Sequence, residues 1–122
     1  MSFHYLSPIL YTNQLAETIE FYTKELGFML EAYNADYEWA TVKKDHVEIM
    51  FSKPNAHIPF DKAHFTGSFY IRVNDVDEIW NHLKERTTIV YSLDNFDYGM
   101  REFAIYDNNG YILQFGEPLN DA

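Results

Sequence analysis

The most constraining feature of this sequence is that one order of strand and helix patterns occurs twice. Aligning residue 7 with residue 68 superposes the apolar positions of two predicted helices. The superposed pairs are Leu15 with Val76, Ile19 with Trp80, and Tyr22 with Leu83. Few residues are identical, and any two strand-helix units share such periodicity. We favour an internal duplication over that coincidence.

The first half predicts a strand, a helix and three further strands. An extended stretch at 6–12 precedes a helix whose apolar residues recur at three- and four-residue spacing. These residues are Leu15, Ile19, Tyr22 and Leu26. Asn13 or Gln14 can cap the helix start, and Gly27 supplies a left-handed residue at its end. Strands are predicted at 28–33, 37–43 and 46–52, separated by polar turns.

The same order resumes after a loop over about 53–66. It begins with a strand at 68–73 and a helix from about 76 to 86. Asp75 with Glu78 three residues later has the pattern of a capping box, which marks the helix start. A short strand at 88–91, a polar loop at 94–99 and a hairpin of strands at 100–106 and 111–115 complete the half.

Two βαβββ modules, at about 5–52 and 67–118, predict an α+β fold. With 122 residues, we expect one domain spanning 1–122. We expect the modules to form a curved mixed sheet with both helices on its convex face. The concave face would then be an open cup, and functional residues should line it.

Charge and composition restrict the partners. The net charge of -10 repels phosphate backbones and anionic lipids and attracts cations, although solubility explains the same charge. The chain has no cysteine, which removes disulfides, thiolate nucleophiles and sulfur-ligated metals. The sequence contains neither a signal-peptide pattern nor an apolar stretch that could span a bilayer. We therefore expect a cytoplasmic protein with no nucleic-acid or membrane partner.

Strand alternation selects the side chains that would line the cup. If Ser68 faces the cup, Tyr70 and Arg72 do so too, because alternate residues share a face. Glu48 and Met50 share a face for the same reason. Such a mixture of apolar and polar side chains is typical of small-molecule sites.

Two facings stay open at this point. Trp39 either stacks on a ligand or packs against a neighbour in the core. Arg101 and Glu102 are adjacent and point opposite ways on a strand, so at most one of them faces a ligand. The predicted ligand-binding residues are Trp39, Glu48, Met50, Ser68, Tyr70, Arg72, Glu102 and Gln114.

Glu48 is the strongest single candidate for a functional residue, because a carboxylate between Val47 and Ile49 has to be paired, hydrated or protonated. Three interpretations compete. It forms a structural ion pair with Arg72 or Arg101, which we favour slightly; it anchors a cationic or amide-bearing ligand; or it is a general base of raised pKa.

Two segments resemble proteins of the vicinal-oxygen-chelate superfamily, which includes glyoxalases, extradiol dioxygenases and the fosfomycin- and bleomycin-resistance proteins. One is the helix from Leu15 to Gly27-Phe28, with Glu17, Phe21-Tyr22 and Leu26 within it. The other is the closing hairpin, Tyr98-Gly99-Met100-Arg101-Glu102-Phe103-Ala104, Asp107-Asn108-Asn109-Gly110 and Phe115-Gly116-Glu117-Pro118. The second segment is most similar to bleomycin-resistance-like members.

The resemblance also bears on metal binding. Metal-dependent members place ligands at positions that match Ser7, Glu48, Ser68 and Gln114 in this sequence. Serine hydroxyls are weak ligands for divalent ions, and an open catalytic site usually has about three good protein ligands. The resemblance therefore implies a protein without a metal. Because the sequence also shows no Ser-His-Asp order and no paired carboxylates at a recognisable spacing, we expect no catalytic residues and no cofactor.

We expect a metal-free protein that binds a small molecule, cationic if charge steers it, in the manner of the antibiotic-sequestering bleomycin-resistance proteins. The alternative is a metal-dependent lyase, isomerase or dioxygenase of the glyoxalase type. A pure interaction domain, with an interior filled by its own side chains, is a third reading. The resemblance further implies a homodimer.

Overall fold

A computed structural model describes residues 1–119. The chain forms two compact units, residues 1–62 and the residues from Ala63 onward, and each contains one βαβββ module. The predicted α+β organisation in two modules is thus confirmed. None of the helices within residues 1–119 is long and apolar enough to cross a membrane.

The first unit has a four-stranded mixed sheet in the order β1-β4-β3-β2. The strand β1 is parallel to β4, and the other pairs are antiparallel. Its elements are β1 (Ile9–Tyr11), α1 (Leu15–Glu20) continued by a π-helical turn (Phe21–Glu25), β2 (Met29–Asn34), β3 (Trp39–Lys44) and β4 (Val47–Ser52).

The second unit repeats this pairing in the order β5-β8-β7-β6, again with one parallel pair, β5 with β8. Its elements are β5 (Phe69–Arg72), α2 (Val76–Leu83), β6 (Thr88–Phe96), β7 (Met100–Tyr106) and β8 (Ile112–Pro118). The repeated strand order is what an internal duplication predicts.

In each unit, aromatic packing holds the helical segment against one face of the sheet. The buried Tyr22 ring lies 4.8 Å from the ring of Phe51 on β4. In the second unit, Trp80 of α2 lies 5.1 Å from Phe103 on β7, which in turn stacks on Phe115 of β8. Alternation then directs the intervening residues of these strands to the face away from the helix.

The two helix starts differ in their capping, because only α2 has a side-chain cap. The Asp75 side chain accepts a hydrogen bond from the Glu78 backbone N–H at 3.2 Å, as the sequence predicts. Gln14 occupies the N-cap position of α1 without a side-chain cap, and its own N–H donates to Thr12 Oγ1 instead. Gly27 has a φ of 77°, which confirms the left-handed helix end.

The largest departure from the sequence prediction is β6, which continues to Phe96 where a polar loop was expected to begin at 94. The register shifts between Ile89 and Tyr91 and again between Tyr91 and Asp94. Such irregularities break the two-residue alternation that identifies a strand in a sequence. The extension brings Tyr91 and Phe96 alongside β7.

Candidate functional site

The central residue of the second module's helix-free face is Glu102. Its side chain is buried, with 1% of the residue exposed, on a strand whose next residue, Phe103, packs under α2. Arg101 points the other way, because its guanidinium forms an ion pair with Asp77 of α2 at 2.8 Å. Of the adjacent pair, Glu102 is therefore the residue that faces away from the helix.

Tyrosine hydroxyls surround the Glu102 carboxylate. Tyr70 Oη donates to Oε1 at 2.7 Å, and Tyr91 Oη donates to Oε2 at 2.5 Å. Tyr98, in the turn between β6 and β7, lies close enough to interact with the same carboxylate. We call Tyr70, Tyr91, Tyr98 and Glu102 the carboxylate-tyrosine cluster.

Gly116 makes the arrangement possible. It lies on β8, between β5 and β7, directly opposite Glu102 on one side and Arg72 on the other. A Cβ atom at this position would lie 2.0 Å from the Tyr70 hydroxyl oxygen. The Tyr70 side chain therefore crosses β8 over a residue without a side chain, and only glycine leaves it room.

The cluster holds a fixed charge. Burial by itself raises the pKa of Glu102, but hydrogen bonds from Tyr91, Tyr70 and Tyr98 outweigh burial and hold that pKa below its usual value. Burial and the bond to Glu102 raise the pKa of Tyr91 to about 12, against the opposing effect of Gln114. The bond to Glu102, then burial, raises the pKa of Tyr98 to about 12.

Burial and the bond to Glu102 also raise the pKa of Tyr70. At neutral pH the carboxyl group is therefore charged, and the phenols of the cluster are neutral. A general acid or base works best when its pKa lies near the working pH. The cluster is suited to attracting a positive charge and is poorly suited to moving a proton.

A second pair of polar residues extends the network toward the start of β5. Ser68 Oγ donates to Gln114 Oε1 at 2.5 Å, and Gln114 Nε2 donates to Tyr91 Oη at 2.8 Å. The structure thus joins four of the predicted site residues, Ser68, Tyr70, Glu102 and Gln114, in one hydrogen-bonded network. Arg72 shares the strand face of Tyr70 and is exposed.

The first module presents a simpler polar site. Ser7 Oγ donates a hydrogen bond to Glu48. Arg101 pairs with Asp77 of its own module.

Strand register also settles the facing of Trp39. Trp39 lies opposite Ser52, and Thr41 lies opposite Met50, in the antiparallel pair of β3 and β4. Directly opposed residues share a face, so Trp39, Met50 and Glu48 all lie on the face away from Tyr22. Each of the three is half-buried.

The residues at the metal-equivalent positions do not fit a catalytic divalent ion. Ser7 donates to Glu48 and Ser68 donates to Gln114, so in each module the residue that matches one ligand is hydrogen-bonded to the residue that matches another. Within residues 1–119, no three His, Asp or Glu side chains are grouped so that they could hold a metal. Two serines, one amide and one carboxylate are a weak donor set.

Sequence reasoning missed three aromatic residues of this face. Tyr91 and Tyr98 contact Glu102, and Phe96 lies between them, 5.5 Å from Tyr91 and stacked on Tyr98 at 5.6 Å. The density of aromatic residues from 91 to 98 was the available signal. The bulges of β6 hid which of them share a face with Glu102.

A family model described as the Glyoxalase/Bleomycin resistance protein/Dioxygenase superfamily matches residues 2–115. No curated protein sequence matches the chain well enough to count as a relative. Many solved structures share the fold.

Three of these structures illustrate the range of similar proteins. TnmS3, an antibiotic binding protein from Streptomyces sp. CB03234, is 20% identical with a TM-score of 0.76, over 97% of this chain and 98% of that one. TioX from Micromonospora sp. ML1 is 19% identical with a TM-score of 0.76, over 95% and 99%. A lactoylglutathione lyase from Agrobacterium tumefaciens is 19% identical with a TM-score of 0.73, over 93% and 92%. At these identities the likeness establishes the fold.

Proposed function

The chain belongs to the Glyoxalase/Bleomycin resistance protein/Dioxygenase superfamily, and from this premise we propose that it binds and sequesters a small molecule without a catalytic metal. Binding alone would be its activity. We place that activity in the cytoplasm.

The observation that carries this proposal is the hydrogen bonding at the metal-equivalent positions. The polar atoms that an ion would require are already hydrogen-bonded to each other, Ser7 to Glu48 and Ser68 to Gln114. An ion would have to displace these bonds and would gain serine hydroxyls, which are weak ligands. Binding of an organic ligand has no such requirement.

The helix-free face of each module offers surface to a ligand. Trp39 and Met50 offer half-buried apolar area in the first module, and Tyr70 offers an exposed ring in the second. Apolar area supplies affinity, and a few polar groups fix orientation. We assign ligand binding to Trp39, Glu48, Met50, Ser68, Tyr70, Arg72, Glu102 and Gln114.

Electrostatics favours a cationic ligand. The chain carries a net charge of -10, which raises the local concentration of cations. The similar protein TnmS3 is described as antibiotic binding, and a bleomycin-like cationic glycopeptide is an antibiotic with the matching charge. Resistance by sequestration is the biological role that this proposal implies.

Thermal unfolding with a ligand panel tests the proposal. A ligand that binds only the folded state raises the midpoint, by an amount that grows with its concentration relative to Kd. We expect no saturable shift with Mg²⁺, Mn²⁺, Ni²⁺ or Zn²⁺, and a saturable shift with bleomycin or another cationic glycopeptide. An unrelated protein of similar negative net charge controls for non-specific attraction of the cationic ligand.

The competing function is a metal-dependent enzyme of the glyoxalase type, for which Glu48 is the available carboxylate. A stoichiometric divalent ion that raises the unfolding midpoint, and whose effect is lost in Glu48→Ala but kept in the exposed control Glu17→Ala, would overturn the sequestration proposal. Both variants remove one carboxylate, so the comparison isolates position from charge.

A further inference from the structure

We propose that the carboxylate-tyrosine cluster is the subsite for an organic cation, such as a quaternary ammonium or protonated amine. This inference rests on the proposed binding function and specifies which part of the molecule recognises the ligand's charge. It is carried by the burial of Glu102, the bonding of its carboxylate and the exposure of the surrounding rings.

The Glu102 carboxylate keeps a full negative charge although it is buried. Glu102 is 1% exposed, yet its charge is stabilised by neutral hydroxyl donors and not by a cation. Its neighbour Arg101 lies on the opposite face and is paired with Asp77. Hydroxyl donors stabilise a carboxylate without cancelling its charge, so a full negative charge remains beneath the tyrosine rings.

The tyrosines around Glu102 are accessible to a ligand from solvent. Tyr70 is 45% exposed although its hydroxyl is bound to the buried carboxylate, and Tyr98, which interacts with the same carboxylate, is 65% exposed. The hydroxyl of Tyr70 is thus turned inward, while part of its ring remains open to solvent. A cation that approaches these tyrosines meets exposed aromatic residues, with the carboxylate charge at the hydroxyl end of the Tyr70 ring.

Aromatic rings attract cations with a known range of free energies. The face of an aromatic ring attracts a cation by about 0.5–2 kcal/mol, depending on desolvation. A phenol whose O–H donates a hydrogen bond to a carboxylate is more electron-rich than a free phenol, which strengthens this attraction. Phe96 stacks on Tyr98 at 5.6 Å and so helps to fix the orientation of the more exposed ring.

Anionic and neutral ligands fit the carboxylate-tyrosine cluster less well than a cation does. An anionic ligand would be repelled by Glu102, and a neutral apolar ligand would gain nothing from a buried charge. The hydroxyls of Tyr70 and Tyr91 already donate to the carboxylate, so they are not available as donors to a ligand. A positively charged group is therefore the ligand feature that this cluster binds most favourably.

Binding of choline, compared with dimethylbutanol, in which carbon replaces the quaternary nitrogen, tests the inference. The two probes have the same shape and differ in charge. Titration followed by the tyrosine ring-proton shifts in NMR gives a Kd for each. We expect saturable binding of choline, with the uncharged probe at least about tenfold weaker.

Variants locate the site. We expect Glu102→Gln to weaken choline binding by about tenfold, and Tyr98→Leu to weaken it several-fold, whereas Tyr98→Phe keeps the ring and should have the smaller effect. Glu85→Gln removes one exposed carboxylate beyond the end of α2 and should leave the Kd within about twofold. If Glu102→Gln does not fold, the exposed position Tyr98 still decides the outcome.

The inference fails if choline does not bind, if choline and dimethylbutanol bind equally, or if Glu102→Gln and Tyr98→Leu behave like Glu85→Gln. Each of these results leaves the sequestration proposal standing, because that proposal is judged by the metal and glycopeptide panel. Conversely, a catalytic metal at Glu48 would remove the sequestration proposal and would leave choline binding at Glu102 to be judged by itself.

Discussion

Arg101 and Glu102 are neighbours in the chain, but the strand directs them to opposite faces and so to opposite roles. Arg101 forms an ion pair with Asp77 of α2, whereas Glu102 accepts hydrogen bonds from tyrosine hydroxyls. The Arg101 and Asp77 pair is largely exposed, so its contribution to stability is small. The buried carboxylate matters more, because removing its donors would leave a charge unsatisfied.

At this scale we predict late ionisation of the cluster tyrosines. Tyr91 and Tyr98 have pKa values raised to about 12 by burial and by the bond to Glu102. A pKa raised by folding gives stability that is complete below the unfolded value of 10.0 and is lost as the pH rises through 12. Ultraviolet absorbance of tyrosinate should show a late-titrating class that partly disappears in Glu102→Gln.

The control for this titration is Glu85→Gln, which should keep the late class unchanged. A titration of Glu102→Gln that superposes on the wild type would mean that burial alone, and not the carboxylate, raises these values. The Tyr98 contribution is the most informative, since the bond to Glu102 is the largest cause of its shift.

Among the elements, the start of α2 is set by residues adjacent in sequence, whereas the course of β6 is set by pairing with another strand. The start of α2 depends on one side chain, Asp75, whose carboxylate accepts the Glu78 N–H. The course of β6 depends on pairing with β7 through two register shifts. The first is a property of four consecutive residues, and the second exists only when both strands are assembled.

We predict that Asp75→Ala lowers the free energy of unfolding by about 1 kcal/mol, because an N-cap acceptor is lost from the first turn of α2. Asp75→Asn keeps an acceptor oxygen and should cost less than half as much. Urea denaturation of both variants, analysed at equal slope, measures the difference. Equal losses in the two variants would show that charge and not capping is responsible.

At the scale of the whole molecule, three large apolar side chains that are close in sequence are exposed. Phe3 is 91% exposed, Tyr5 is 78% exposed and Leu6 is 84% exposed. Contiguous exposed apolar residues commonly mark an interaction site. We propose that this segment contributes to a homodimer, the assembly that the family resemblance implies.

Sedimentation velocity at several protein concentrations tests the homodimer. We expect a dimer that dissociates on dilution, and we expect Phe3→Ser with Leu6→Ser to shift the equilibrium toward monomer. Ile58→Ser, which removes an apolar side chain that is 58% exposed in the loop, is the matched control. A monomer at every concentration would refute the proposal.

The sequence by itself determined what depends on neighbours along the chain. The helical stripe of α1, the cap at Asp75 and the alternation of Ser68, Tyr70 and Arg72 are set by local geometry, so their periodicity predicts them. The closing hairpin from Tyr98 to Pro118 was specific enough to indicate the family. The same local rules correctly placed Glu48 and Met50 on one face.

Only the tertiary structure decided which side chains meet across strands. Tyr70 reaches Glu102 because Gly116 lies between them, and Tyr91 reaches it because β6 is bulged. Glu48 accepts a hydrogen bond from Ser7, 41 residues earlier in the chain. Strand register and bulges arise from pairing between distant segments, and a one-residue shift turns every side chain to the other face, so no local pattern can fix these contacts.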